Sequence, residues 1–281
     1  MNGENDRTVM DRIKAHYGDI FMAERKVADF ILKNPEDAVN SNVSELAGLS
    51  GVSDATVVRL SKRLGYHGYY QMRICLSRDL GRTGEKAHAA SMEKRSSGSD
   101  VFQNYAKDIA AIGRKIDPRQ LQQCAQWIKA CNYVHLVAVG NTSPLALYMG
   151  FRLGRLGIRC TYNSLPECFL NFINLAQKND IVFAISQSGS SKQVVQALEL
   201  AKERDLRTIV VSGYAYSPVS RFADCLLISN SGEKEFNYYK DYSHLKEMAV
   251  IDAVLDFVTD EDKIKSTSSG NLEIMLSENK I

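Results

Sequence analysis

The residues best suited to hold a ligand form a short run of serine and glycine, Ser186–Ser191, between an apolar stretch and an amphipathic stretch. Serine hydroxyls donate and accept hydrogen bonds, and the backbone N–H groups at a helix N-terminus attract anions. A phosphate group could therefore bind in this loop without a cationic side chain. The alternative is an ordinary turn between a strand and a helix that happens to be rich in serine and glycine.

A second loop with similar properties is Val139-Gly140-Asn141-Thr142-Ser143-Pro144, which also joins an apolar run to a helical pattern. Gly140 permits a close approach of the backbone to a ligand, and Pro144 suits the first turn of a helix. The hydroxyls of Thr142 and Ser143 can donate and accept hydrogen bonds. An ordinary turn explains this loop equally well when it is considered alone.

Contact with nucleic-acid phosphates is indicated by the distribution of charge near the N-terminus. Residues 1–52 carry nine acidic and six basic side chains. Residues 53–82 carry only Asp54 and Asp79 against six basic side chains, which are Arg59, Lys62, Arg63, Arg73, Arg78 and Arg82. A basic end on a nearly neutral domain favours binding to a phosphate backbone.

The stretch Val43–Leu64 has the layout of a helix-turn-helix. Ser44 can cap a short helix, Gly51 suits the turn, and Ser53 can cap the second helix. In that second helix Val57, Leu60 and Leu64 are spaced to bury one face. The other face carries Ala55, Thr56 and Arg59, and an arginine there can contact guanine or phosphate. The alternative is a solvated helix in a plain bundle.

The elements that must position the two loops are short apolar runs that alternate with amphipathic stretches. The predicted strands are Tyr133–Val139, Ile158–Thr161, Ile181–Ile185, Thr208–Val211 and Cys225–Ile228. The predicted helices are Pro118–Cys131, Pro144–Leu156, Lys192–Glu203 and His244–Val258. This alternation predicts a parallel sheet with helices on both faces. Before Arg82 the apolar spacing is helical throughout, so the fold class is an all-α domain followed by an α/β domain.

The composition is that of an ordinary globular protein. The chain has 281 residues, a net charge of +2, 44% hydrophobic residues and 24% charged residues. It has neither an apolar run of membrane-spanning length nor a signal-peptide pattern, so we expect a cytoplasmic protein that does not enter a membrane. The six cysteines include no C-x-x-C pair, which favours buried reduced thiols over a metal site or a disulfide framework.

The N-terminal segment resembles the RpiR/MurR family of transcriptional regulators. The resemblance covers nearly all of residues 10–80. It rests on Ala23-Glu24-Arg25-Lys26-Val27-Ala28-Asp29-Phe30-Ile31-Leu32, Glu45-Leu46-Ala47, Val52-Ser53-Asp54-Ala55-Thr56-Val57-Val58-Arg59-Leu60 and Leu64-Gly65-Tyr66-His67-Gly68-Tyr69. The family implies double-stranded operator DNA as a partner. It also implies that Ser53, Thr56, Arg59, Lys62 and Arg63 lie on the recognition helix.

The two C-terminal loops together resemble the SIS (sugar isomerase) domain, with coverage from about Tyr105 to Val258. The resemblance implies an α/β/α domain with a parallel five-stranded sheet, and a phosphorylated sugar as ligand. The implied phosphosugar-binding positions are Thr142, Ser186, Ser188, Gly189 and Ser191. Ala138 replaces the family's first glycine, and Thr142 stands where serine is commoner. His244 stands where regulators often carry arginine.

Three functions fit this combination: a sugar-phosphate sensor, a sugar-phosphate isomerase and a purely structural dimerisation module. An isomerase needs a positioned base, for which Glu167, Glu233 and His244 are the candidates and Glu233 the first choice. None forms a clear acid–base pair in the sequence, and a lone glutamate in a polar loop is usually a solvated charge. We therefore expect a non-enzymatic regulator of carbohydrate metabolism genes that uses a phosphosugar effector and neither a cofactor nor a metal.

The expected organisation is a DNA-binding domain at residues 1–82, a flexible linker at 83–104, a SIS domain at 105–262 and a polar tail at 263–281. SIS domains resemble self-associating modules, so a homodimer or homotetramer is expected. A two-fold axis in the protein would match symmetric DNA half-sites.

Overall fold

The computed structural model describes residues 8–88, 98–230 and 243–259, together with residue 277. Glu233, the middle of the predicted linker and the predicted polar tail lie outside the described residues. The chain divides into two compact units, and the division between Asn104 and Tyr105 separates the helical unit from the α/β unit. The ends of the predicted linker region that are described, 83–88 and 98–104, are helical.

The N-terminal unit consists of helices around one apolar core. The helices are α1 (Val9–His16), α2 (Met22–Lys33), α3 (Pro35–Asn40), α4 (Val43–Leu49), α5 (Asp54–Arg63) and α6 (Tyr69–His88). Its core includes Ile31, Leu46, Leu60 and Met72, each with no exposed surface. Helix α5 packs against both α2 and α4, so the predicted helix-turn-helix pair α4–α5 rests on α2.

The turn between α4 and α5 is the predicted one, but the predicted cap of α4 is wrong. Gly51 has a φ of +62°, a conformation that glycine adopts at little cost. The N-cap of α4 is Asn42, whose side-chain oxygen accepts hydrogen bonds from the N–H groups of Ser44 and Glu45, while Glu45 accepts from the Asn42 N–H. The Ser44 hydroxyl instead donates to Asp54 at 2.7 Å, which ties α4 to the start of α5.

The C-terminal unit is a five-stranded parallel sheet with helices on both faces, as the sequence predicts. The strands are β1 (Val134–Val137), β2 (Cys160–Tyr162), β3 (Ile181–Ser186), β4 (Arg207–Ser212) and β5 (Cys225–Ile228). The helices are α7 (Gly98–Lys115), which enters this unit at Tyr105, α8 (Pro118–Ala130), α9 (Ser143–Arg155), α10 (Pro166–Asn174), α11 (Lys192–Glu203) and α12 (Leu245–Val258). One face packs against α8, α9 and α12, and the other packs against α10 and α11.

The strand order β2-β1-β3-β4-β5 determines where a ligand can bind. After β1 the chain crosses to one side of the sheet, and after β3 it crosses to the other side. The loops that follow β1 and β3 therefore diverge and leave a crevice at the carboxyl edge, the topological switch point of such sheets. These are the two loops that are predicted from the sequence to bind a ligand.

The described residues include no helix long and apolar enough to cross a membrane. All six cysteines are free thiols. Cys124 and Cys225 are buried as expected, and the other four are partly exposed.

Candidate functional site

The loop after β3 is shaped by Gly189. Ser186 ends β3 opposite Ser212 of β4, and its carbonyl accepts a hydrogen bond from the Gly189 N–H at 3.0 Å. Gly189 has a φ of +65°, and a Cβ atom added there would lie 2.4 Å from the Cβ and Oγ atoms of Ser217. Both the backbone conformation and the available space therefore require glycine at this position.

The serines of this loop line the start of α11. Ser186 is buried, and its Oγ lies 3.5 Å from the Oγ of Ser191, the N-cap residue of α11. The Ser191 side chain makes no capping hydrogen bond, so the first N–H groups of this helix can bond to another acceptor. Ser188 is half-buried, and its Oγ accepts a hydrogen bond from the Ser190 N–H at 3.3 Å. The structure thus brings Ser186, Ser188 and Ser191 together around a helix N-terminus that favours an anion.

The loop after β1 is held close to the start of the serine loop because Thr142 bonds to the end of β3. Thr142 is buried, and its Oγ1 lies 3.0 Å from the Val139 carbonyl and 3.3 Å from the Ile185 carbonyl. Its hydroxyl proton is therefore directed at the backbone, which leaves the oxygen as an acceptor. Gly140 has a φ of +59° and open space where a side chain would be. The predicted crevice accordingly has glycine backbone on one side and serine hydroxyls on the other.

A second cluster of polar side chains lies at the carboxyl edge of the sheet. No pattern in the sequence predicts that its members meet. Ser229 follows β5, and its N–H donates to the Ser212 carbonyl at 2.9 Å. Its hydroxyl donates to the Oε1 atom of the buried Glu247 at 2.6 Å, and Oε2 of Glu247 lies 3.4 Å from Nδ1 of His244. The Nε2 atom of His244 is buried and has no hydrogen-bond partner among the described residues. Ser217 lies against Gly189, and its buried hydroxyl also lacks a partner within the described ranges.

The other predicted candidates for a catalytic base do not join this cluster. Glu167 is exposed in the first turn of α10. Glu233 lies outside the described residues. The only ionisable candidate that the structure brings to the described part of the crevice edge is His244, which pairs with Glu247.

A buried histidine, His135, lies towards the amino edge of the sheet, away from the crevice. Its Nδ1 is 2.8 Å from the Thr161 hydroxyl, and its Nε2 is 3.4 Å from a carboxylate oxygen of Asp180, the residue before β3. Burial lowers the pKa of His135 below its usual value, although Asp180 acts in the opposite direction. Because Asp180 stands at the amino end of β3, this pair is separate from the crevice.

Helix α5 presents only some of its predicted DNA-binding residues to solvent. Ser53, Arg59, Lys62 and Arg63 are exposed. Thr56 is buried, because it lies one helical turn before Leu60 on the face that packs against the core. Its hydroxyl lies 3.0 Å from the Ser53 hydroxyl and accepts a hydrogen bond from Arg59 at 3.0 Å. Thr56 can therefore act on DNA only through these two neighbours.

Arg63, the remaining predicted DNA-binding residue, is engaged within the protein. Its Nε donates to Oε2 of Glu24 on α2 at 2.7 Å, and its guanidinium lies 4.4 Å from the ring centre of Phe21. The hydrogen bond to Glu24 raises the pKa of Arg63. Glu24 is buried, and its sequence context alone does not predict a role for it.

Comparisons with known proteins match two domain families to separate parts of the chain. Residues 7–83 match the model of the helix-turn-helix domain of the rpiR family, and residues 128–255 match the model of the SIS domain. YbbH of Bacillus subtilis, named an uncharacterized HTH-type transcriptional regulator, is 27% identical over 241 residues, which are 83% of each chain. A regulator of the same description from Caldanaerobacter subterraneus is 27% identical and covers 84% of this chain and 85% of its own.

Solved structures show the same fold. A structure of the Vibrio vulnificus NanR protein complexed with ManNAc-6P superposes with a TM-score of 0.77 at 23% identity, covering 96% of this chain and 98% of that one. The sugar isomerase domain of an RpiR transcription factor from Sphaerobacter thermophilus gives a TM-score of 0.53 at 20% identity, covering 65% of this chain and 98% of that one. The chain therefore contains a helix-turn-helix domain of the rpiR family, followed by a SIS domain.

Proposed function

We propose that this protein is a DNA-binding transcriptional regulator of carbohydrate metabolism genes whose operator affinity changes when a phosphorylated sugar binds its SIS domain. The observation that carries the proposal is the presence in one chain of a helix-turn-helix with an exposed arginine on α5 and a serine-lined crevice at the switch point of a parallel sheet. A regulator needs both a DNA-contacting element and a ligand site that distinguishes two states.

The ligand that best fits the crevice is a sugar carrying a phosphate group. The hydroxyls of Ser186, Ser188 and Ser191 and the N-terminus of α11 suit an anion, and no cofactor or metal is required for such binding. The relative from V. vulnificus is described in complex with ManNAc-6P, which supports a phosphosugar as the class of ligand. In this proposal Gly189 permits close approach to the phosphate, and Thr142 positions the neighbouring loop.

The partner of the N-terminal unit is double-stranded operator DNA. Ser53 at the start of α5 would contact a phosphate, Arg59 would contact base edges or phosphate, and Lys62 would add a sequence-independent charge. A homodimer or homotetramer, in the cytoplasm, would present two such helices to symmetric half-sites.

We further propose that the SIS site binds its ligand without turnover. The relatives named above are regulators, and among the described residues the crevice edge offers His244 paired with Glu247 rather than an acid and a base on opposite sides of a substrate. The alternative is a sugar-phosphate isomerase or a bifunctional enzyme. The Nε2 of His244, which has no partner in the part of the chain that the structure describes, favours this alternative, since a base needs such an atom.

A titration in two stages tests the regulator proposal. The full chain first selects a duplex from a randomised pool, and thermal shift identifies the sugar phosphates that stabilise the protein. The affinity for the selected duplex is then measured with and without the best ligand, on the wild type, Ser188→Ala and the control Gln122→Ala, which removes an exposed polar group on α8. We expect a change of about 5- to 150-fold in the wild type and the control, and a reduced change in Ser188→Ala. Wild-type affinity that ignores every stabilising sugar phosphate would refute the proposal.

A further inference from the structure

Glu24 is a buried carboxylate directly beneath the DNA-facing helix. It occupies the first turn of α2, and only 3% of its side chain is exposed. A carboxylate in such a place is unfavourable unless it is paired. Its oxygens face two cations of α5: Nε of Arg63 at 2.7 Å and Nε of Arg59 at 3.9 Å. Glu24 therefore interacts with both arginines that the helix could present to DNA.

The two arginines lie one helical turn apart but have different surroundings. Arg63 is hydrogen-bonded to Glu24, stacks on Phe21 and has 32% of its side chain exposed. Arg59 has 61% of its side chain exposed. Its Nη2 donates to Thr56, so its guanidinium is oriented by Thr56 on one side and by the charge of Glu24 on another. Arg63 is thus in contact with the protein surface, whereas Arg59 is oriented by its partners and is more accessible to solvent.

We propose that Glu24 is a positioning residue that determines the DNA specificity of α5, by keeping Arg63 away from the phosphate backbone and by orienting Arg59 towards the bases. This inference rests on the proposed DNA-binding function. Contacts with phosphates strengthen binding to every sequence equally, whereas an oriented arginine distinguishes guanine from other bases. A buried negative charge next to α5 also lowers the attraction of that helix for phosphate in general.

The test compares Glu24→Gln with Glu36→Gln in the full-length protein. Glutamine keeps the shape of the side chain and removes its charge, and Glu36 is an exposed glutamate on α3 that controls for the change in net charge. The probes are a duplex selected by the wild type from a randomised pool and a mixed-sequence duplex of equal length. Affinities are measured across a range of salt concentrations.

In Glu24→Gln we expect tighter binding to the mixed-sequence duplex, because Arg63 can then reach a phosphate. The slope of log affinity against log salt should steepen by about 0.9, the value for one additional neutralised phosphate. The ratio of selected to mixed-sequence affinity should fall by about ten-fold. Glu36→Gln should change neither the slope nor the ratio by a comparable amount.

The double variant Glu24→Gln/Arg63→Gln separates this role from a purely structural one. The steeper salt slope should disappear when Arg63 is removed, while the loss of specificity should persist because Arg59 is no longer oriented. A Glu24→Gln protein that is less stable but keeps the wild-type slope and ratio would show that Glu24 is only a packing residue. A wild type that selects no duplex would instead overturn the proposed function, and the inference with it.

Discussion

Replacing Gly189 by alanine should destabilise the serine loop, because the loop has no room for the added methyl group. The added Cβ would lie 2.4 Å from two atoms of Ser217 and 3.0 Å from Oγ of Ser212. Overpacking of a buried site costs about 1–3 kcal/mol, and a left-handed conformation costs a residue other than glycine about 1–2 kcal/mol. We therefore expect the free energy of unfolding of the SIS unit to fall by about 2–5 kcal/mol.

The matched control is Gly154→Ala, because Gly154 lies exposed in α9 with open space at its Cβ position. That change should be neutral or stabilise α9 by up to about 1 kcal/mol, since alanine favours helix. Calorimetry of both variants should show Gly189→Ala melting about 5–15 °C below the wild type, and its thermal shift with sugar phosphate should be lost. A Gly189→Ala protein with wild-type melting and an undiminished ligand response would refute the assigned loop geometry.

Three further predictions concern other sites. Because burial lowers the pKa of His135, the unfolded chain binds more protons below about pH 6.5. The contribution of His135 to the free energy of unfolding should therefore be constant above that pH and fall below it, by at most about 1.4 kcal/mol per pH unit, and His135→Asn should remove this contribution in denaturant titrations between pH 7 and pH 5.5. Arg59→Ala should weaken binding to the selected duplex by about 1–3 kcal/mol in gel-shift titration, and unchanged affinity would contradict the assigned DNA-facing surface. The purified protein should not interconvert aldose and ketose phosphates in a coupled assay, and sustained conversion that is abolished by Glu233→Gln would favour the isomerase.

Most of the α/β unit could be predicted because its signals are local. Each predicted strand corresponds to an observed one, with small differences at the ends. The second strand begins at Cys160 rather than Ile158 because the Ile158 N–H donates to the Leu153 carbonyl and completes the end of α9. Helix α10 (Pro166–Asn174) was missed because it is short, begins with proline and follows a polar turn.

The functional residues could be predicted only where they are close together in the sequence. The serine loop is continuous in sequence, so its hydroxyls were found directly. Glu24 and Arg63 are 39 residues apart, and nothing in the sequence pairs them. Ser229 and Glu247 are 18 residues apart and meet only because the end of β5 and the start of α12 come together at the carboxyl edge of the sheet. The burial of Thr56 was missed because the apolar spacing of α5 gives the direction of its core face but not its width.

A matching residue type does not by itself make a binding residue, because a polar group contributes only the difference between its bond to the ligand and the bond that it gives up. Thr142 already directs its hydroxyl at two backbone carbonyls, and Arg63 already donates to a buried carboxylate. Ser188 and Arg59 are more exposed and are held by weaker partners. Removing the side chain of Thr142 or Arg63 should therefore disturb the geometry of its site. Removing that of Ser188 or Arg59 should instead remove a contact with the ligand or the DNA. Each family motif thus contains both residues that shape the site and residues that bind.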